Sequence, residues 1–277
     1  MKRIQQVSLS LFLLLCLLLS ACGAAPGGTQ TSFSLEDVPA FSGEPYVVLS
    51  DNQPGFTQEE LDQAAQGFEE YSPWTPCRCG TAYASVGLDT MPTQDRESIS
   101  SVKPSGWQTA KYDTELVDGG YLYNRCHLIG FQLTGENANE ENLITGTRYL
   151  NVEGMLPFEN LVADYVKETG NHVPYRVTPV FSGTELVARG VELEALSVED
   201  GGEGVCFHVY CYNNQPGIAI DYATGESWLD GEEPQSSGSG AASSSAGSSS
   251  GETGAETEQH YVLKYQLEKF HLRLLRG

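Results

Sequence analysis

The sequence has 277 residues, a formal net charge of −22 and 40% hydrophobic residues. This allows one large domain or two small ones, with enough apolar content for a real core. A chain this acidic does not bind nucleic acid through a broad positive face, so a polyanion must be held by a small basic patch or a metal ion.

Lys2 and Arg3 precede an unbroken apolar run from Leu11 to Leu19. That run is too short to span a bilayer as a mature helix and reads as the core of a signal peptide over residues 1–21. Leu19-Ser20-Ala21-Cys22 looks like a bacterial lipobox, so Cys22 is the expected lipidation site. The expectation is an extracytoplasmic lipoprotein on the bacterial cell surface, held to the membrane by an N-terminal lipid anchor. Residues 22–44 read as a tether, 45–230 as the folded domain, 231–258 as a disordered Gly/Ser/Glu linker and 259–277 as a short tail.

Within the domain, residues 45–51 predict an opening strand. Residues 57–71 predict an amphipathic helix, with Thr57 as N-cap and Glu60 completing a capping box. Residues 79–87 predict a strand. Asp118-Gly119-Gly120 predicts a turn into a strand ending near His127, and residues 141–147 a second short strand. A helix is expected from about Thr147 to Glu168, with apolar stripe Leu150, Phe158, Leu161, Val162 and Tyr165 and with Gly170 as C-cap. Pro157 predicts a kink or break inside it. Three strand-rich segments follow, "VPYRVTPVFSG", "ELVARGVELEALSV" and "GVCFHVYCYNNQPGIAIDYATGES", and His208 within the last reads as structural. The fold class is α+β, with a mixed, mainly antiparallel sheet.

Apart from Cys16 and Cys22, the cysteines are Cys77, Cys79, Cys126, Cys206 and Cys211, an odd number. Cys206 and Cys211 lie about 16 Å apart along one strand with side chains facing opposite ways, so they cannot bond each other. The spacing of the five is not a standard zinc pattern.

The order strand, His127, strand, helix is the chemically informative one. The helix offers Asn151 and Glu159, eight residues apart and so within about 80° of each other on its surface. The stretch "NRCHLIGFQLTGENANEENLITGTRYLNVEGMLPFEN" resembles the DNA/RNA non-specific endonucleases, with their ββα-metal (His-Me finger) core. Asn124 and Cys126 depart from the usual D-R-G-H and place the chain nearer an N-R-C-H branch.

The resemblance implies a general base at His127, a metal ligand at Asn151 and a residue holding water around the metal at Glu159. Arg125 would bind a phosphate oxygen, and Asn142 matches an asparagine lying close to the catalytic site. It further implies Mg²⁺, with Mn²⁺ as a substitute, and DNA or RNA as substrate. The ion would supply the positive charge that an acidic chain lacks. In an exported protein, Cys126 is expected to form a disulfide with Cys79. The rival expectation is a nuclease fold that has lost turnover and holds DNA at the cell surface.

Overall fold

Apolar residues recur at every second position in the strand-rich segments after residue 172, and in the computed structural model these runs build a six-stranded antiparallel sheet. The structure describes residues 33–74 and 78–232. The expected signal peptide, Cys22, tether residues 22–32, all of the linker but 231–232, and the tail lie outside the described residues. Among the described residues, no helix is long and apolar enough to cross a membrane.

The elements follow in chain order as β1 (Tyr46–Val48), α1 (Gln58–Gln63), β2 (Phe68–Trp74), β3 (Arg78–Val86), β4 (Tyr123–His127) and α2 (Phe131–Thr134). Then come β5 (Leu143–Thr147), α3 (Leu156–Thr169), β6 (Val173–Val180), β7 (Gly190–Leu196), β8 (Cys206–Tyr212), β9 (Ile218–Ile220) and β10 (Ser227–Leu229). The large sheet has the order β1-β8-β7-β6-β3-β2. Its inner face carries Tyr175 and Val177 from β6, Leu193 from β7 and Phe207 and Val209 from β8, all fully buried. Phe158, Val162 and Val166 of α3 belong to the same apolar cluster, and the Phe158 ring meets Phe207 at 4.8 Å between centroids.

The predicted helix over 57–71 is half right. The capping box forms as expected, with the Thr57 hydroxyl accepting from Glu60 N–H, but α1 stops at Gln63. Residues 68–71 are strand and pair with β3 from Phe68↔Ser85 to Tyr71↔Ala82. Gly67 marks the switch: a Cβ there would lie 2.4 Å from the Asp89 carboxylate. The aromatic residues of "FEEY" suit a pleated edge, and sheet pairing overrides the weak helical propensity that remains.

β4 and β5 form a separate antiparallel pair, with His127 opposite Leu143 and Asn124 opposite Gly146. The chain then enters the long helix through a π turn, Leu150–Met155, that runs straight into α3. The break expected at Pro157 takes this form. Proline has no N–H and its ring crowds the carbonyl four residues back. Moving the bonds to an i→i−5 pattern, as in Leu156 N–H to Asn151 C=O, relieves that crowding. Gly170 caps α3 in the left-handed conformation at φ 73°, as predicted.

Candidate active site

β4, β5 and the π-turn/α3 helix together form a ββα unit whose open side is a cleft of about 750 Å³. His127 and Asn124 from β4, Asn151 from the π turn and Glu159 from α3 all line it. The two helix residues that the sequence set eight apart do reach one cavity. Arg125 also borders it, as do Arg96 and Trp107 from the long 87–122 connection.

His127 is only 6% exposed. Its Nε2 lies 2.8 Å from the backbone carbonyl of Asn137, an acceptor, so Nε2 carries the ring proton. Nδ1 is then the lone-pair nitrogen, and Arg96 Nη2 approaches it at 3.4 Å. Burial lowers the His127 pKa, the Asn137 carbonyl opposes this, and the Arg96 charge lowers it further. The ring is therefore neutral at neutral pH, with Nδ1 able to take a proton.

Glu159 is 8% exposed at the floor of the cleft. Burial pushes its carboxyl up to about 7, against the lowering effects of Gln132, Arg96 and Gly130 N–H. Gly130 permits that approach: a Cβ at this position would lie 2.5 Å from the Glu159 carboxylate oxygen. A buried carboxyl of this kind gains most from a cation placed beside it. Glu159 and the Asn151 side chain both line the cleft, and oxygen donors of this kind suit a hard cation that keeps several waters, such as Mg²⁺ or Mn²⁺.

A second group of ligand-type side chains, Glu192, Glu194 and His208, sits in β7 and β8, with ligand atoms within 4.8 Å of one another. These groups already neutralise one another. His208 Nε2 meets Glu192 at 2.7 Å and its Nδ1 faces the Gln53 carbonyl. Glu194 accepts from Gly55 N–H and from Arg176 Nε, which is 2.8 Å away. An added cation would have to displace a proton and face the Arg176 guanidinium, so this cluster reads as structural, as expected of His208.

Three sequence expectations change. Arg125 is a tie rather than an open phosphate fork: its Nη2 donates to Ser100 C=O at 2.9 Å, its Nε donates to Val102 C=O, and its guanidinium lies 4.1 Å above Trp107. It holds the 96–107 loop over the cleft. Asn142 does not line the cleft. It is fully buried and clamps Ile129, accepting its N–H at 2.9 Å and donating to its C=O at 3.0 Å. The expected disulfide is not formed, and both thiols are free. Cys79 donates to the carbonyls of Glu140 and Leu143, each at 3.0 Å, whereas Cys126 turns toward Asn151 and Met155.

Sequence reasoning missed Arg96. It lies in the polar stretch "TQDRESIS", which has no periodicity, and its site neighbour His127 is 31 residues away. A cation in a loop between apolar segments was the one available signal. Its setting matters because Arg148, Arg176 and Arg189 are each ion-paired to carboxylates. Arg96 has no such pair among the described residues, and its charge acts on Glu159 and His127.

A neutral buried histidine, a cation beside it and an oxygen donor pair on a following helix match the geometry expected of a metal-assisted nuclease. Residues 63–199 match the family profile described as DNA/RNA non-specific endonuclease. The chain carries a DNA/RNA non-specific endonuclease domain. That domain makes it a hydrolase of the endonuclease class. The structure is similar to the NucA nuclease of Streptococcus agalactiae solved with a magnesium ion bound. That match has 28% identity and a TM-score of 0.58, over 66% of this chain and 86% of NucA. The same protein solved with no metal bound gives 27% identity and a TM-score of 0.60, over 71% of this chain and 92% of NucA. The Sda1 nuclease solved with a zinc ion bound gives 28% identity and a TM-score of 0.51, over 68% of this chain and 97% of Sda1.

Proposed function

We propose that the chain is an extracytoplasmic, Mg²⁺-dependent endonuclease that hydrolyses phosphodiester bonds of DNA, and of RNA, without sequence preference. The observation that carries this reading is the His127 ring, held through Nε2 by the Asn137 carbonyl so that a neutral Nδ1 sits beside Arg96 in the cleft. His127 acts as general base and takes a proton from the attacking water at Nδ1. Arg96 binds a phosphate oxygen of the substrate with its charged N–H groups. The Asn151 amide oxygen would hold the ion, and Glu159 would orient water around it. When bound, Mg²⁺ supplies positive charge that stabilises the transition state at phosphorus and the departing oxygen.

This arrangement explains how a chain of net charge −22 can act on a polyanion: attraction is confined to the cleft. The hydrophobic run Leu11–Leu19 followed by Cys22 supports export and lipid anchoring at the cell surface. Incubating the full chain with supercoiled plasmid, and separately with RNA, tests the activity. Both should be cut in Mg²⁺ and left intact in EDTA. Plasmid that is retarded in a gel but uncut in Mg²⁺ would make the protein a nucleic-acid binder instead.

A further inference from the structure

The Asn151 side chain makes one hydrogen bond among the described residues, and its partner is the Cys126 thiol, with Sγ 3.1 Å from Oδ1. Cys126 is 1% exposed. Its single proton has three acceptors in reach: Asn151 Oδ1 at 3.1 Å, Met155 Sδ at 3.5 Å and the His127 carbonyl at 3.7 Å. The amide oxygen is the nearest, and it is a stronger acceptor than a thioether.

The space for this contact is built into β5. Gly146, the ladder partner of Asn124, lies diagonally beside the cysteine, and a Cβ at Gly146 would lie 2.6 Å from Cys126 Cβ and 3.3 Å from its Sγ. Any larger residue at 146 would push the cysteine off its position. Glycine on β5 and cysteine on β4 therefore make a complementary pair, and the cysteine reaches the helix because the glycine leaves room.

We propose that Cys126 is a positioning residue for Asn151: its thiol donates to one lone pair of Oδ1 and so holds the other toward the cleft, where it serves a divalent cation. This inference rests on the reading of Asn151 as the ion's ligand. An amide carbonyl oxygen has two lone-pair directions, so accepting from the thiol at the back leaves the front available. Because no other side-chain bond among the described residues restrains Asn151, removing the donor frees its rotamer, and that freedom must be lost again when the ion binds. Partners one step behind a metal ligand typically change metal affinity by about 10- to 100-fold when removed. A weak thiol donor belongs at the lower end.

The test is Mn²⁺ affinity, measured by electron paramagnetic resonance on the full chain for wild type, Cys126→Ala and Cys126→Ser, with thermal melts of the metal-free proteins alongside. Cys126→Ala should raise the Mn²⁺ Kd about tenfold. Cys126→Ser, which keeps a donor in the same place, should restore most of the affinity, while KM for DNA stays unchanged in both. Should the alanine variant fail to fold, Cys126→Val, which fills the site without a donor, and Cys126→Ser give the same comparison. The proposal is overturned if the donor-less variant binds Mn²⁺ as tightly as wild type, or if serine loses as much affinity as alanine. Either result in a wild type that binds Mn²⁺ and cuts DNA leaves the nuclease reading intact. A wild type that does neither removes both.

Discussion

Asn142→Ala separates a structural asparagine from a catalytic one. The side chain is fully buried and bonds both backbone groups of Ile129, itself fully buried. Truncation leaves an N–H and a C=O without partners in a dry environment. Each such group costs about 1–3 kcal/mol, so the loss is about 2–6 kcal/mol. In a domain of this size each kcal/mol lowers Tm by about 2–4 °C, which predicts a fall of at least about 4 °C. Differential scanning calorimetry of the full chain gives the Tm, and single-turnover cleavage at a temperature where both proteins are folded gives the chemistry. Ile129 precedes Gly130, whose N–H bonds Glu159, so a secondary loss of rate is expected alongside the instability. A variant with wild-type Tm but abolished cleavage would refute the clamp and return Asn142 to the catalytic set.

Two further outcomes follow from the same geometry. Arg96→Ala removes a charge-assisted contact to phosphate worth about 1.5–3 kcal/mol, so kcat/KM should fall by about 10- to 150-fold with little change in Tm. Arg125→Ala should instead lower Tm, because it strands the carbonyl of buried Val102, releases Ser100 and uncovers Trp107; steady-state kinetics and melts on both variants check the contrast. A third concerns pH. Burial alone would lower the His208 pKa, but its bond to Glu192 and the nearby Glu194 charge outweigh that and raise it. A raised folded-state pKa stabilises the protein below the unfolded value of about 6.5, and that contribution disappears as pH rises through the folded value. Glu192→Gln should therefore melt well below wild type at pH 6, and the gap should narrow as pH increases; a gap that widens with pH would contradict this.

Much of the site was readable because its chemistry follows chain order. His127 on β4, Asn151 in the π turn and Glu159 on α3 belong to one ββα unit in chain order, and local periodicity places its strands and helix. The apolar stripe of α3 and the glycine cap at 170 were legible for the same reason. What failed was whatever depended on distant partners. Arg125 looked like a phosphate fork because its acceptors, Ser100 and Val102, lie more than twenty residues away in a loop without pattern. Asn142 looked catalytic because its closeness to the site was apparent while its bonds to Ile129 were not. The strand at 68–71 was hidden inside a helical pattern because only pairing with β3 decides it. The π turn reflects Pro157, whose disturbance was foreseen but whose resolution depends on how the helix ends pack.

The central claim is that His127 is the general base of a metal-assisted hydrolysis. Single-turnover cleavage of supercoiled plasmid by His127→Ala at saturating Mg²⁺ tests it most directly, with Mn²⁺ affinity measured on the same preparation. The account predicts a loss of about 10²- to 10⁴-fold in rate with ion affinity retained. A variant that cuts at the wild-type rate would contradict it.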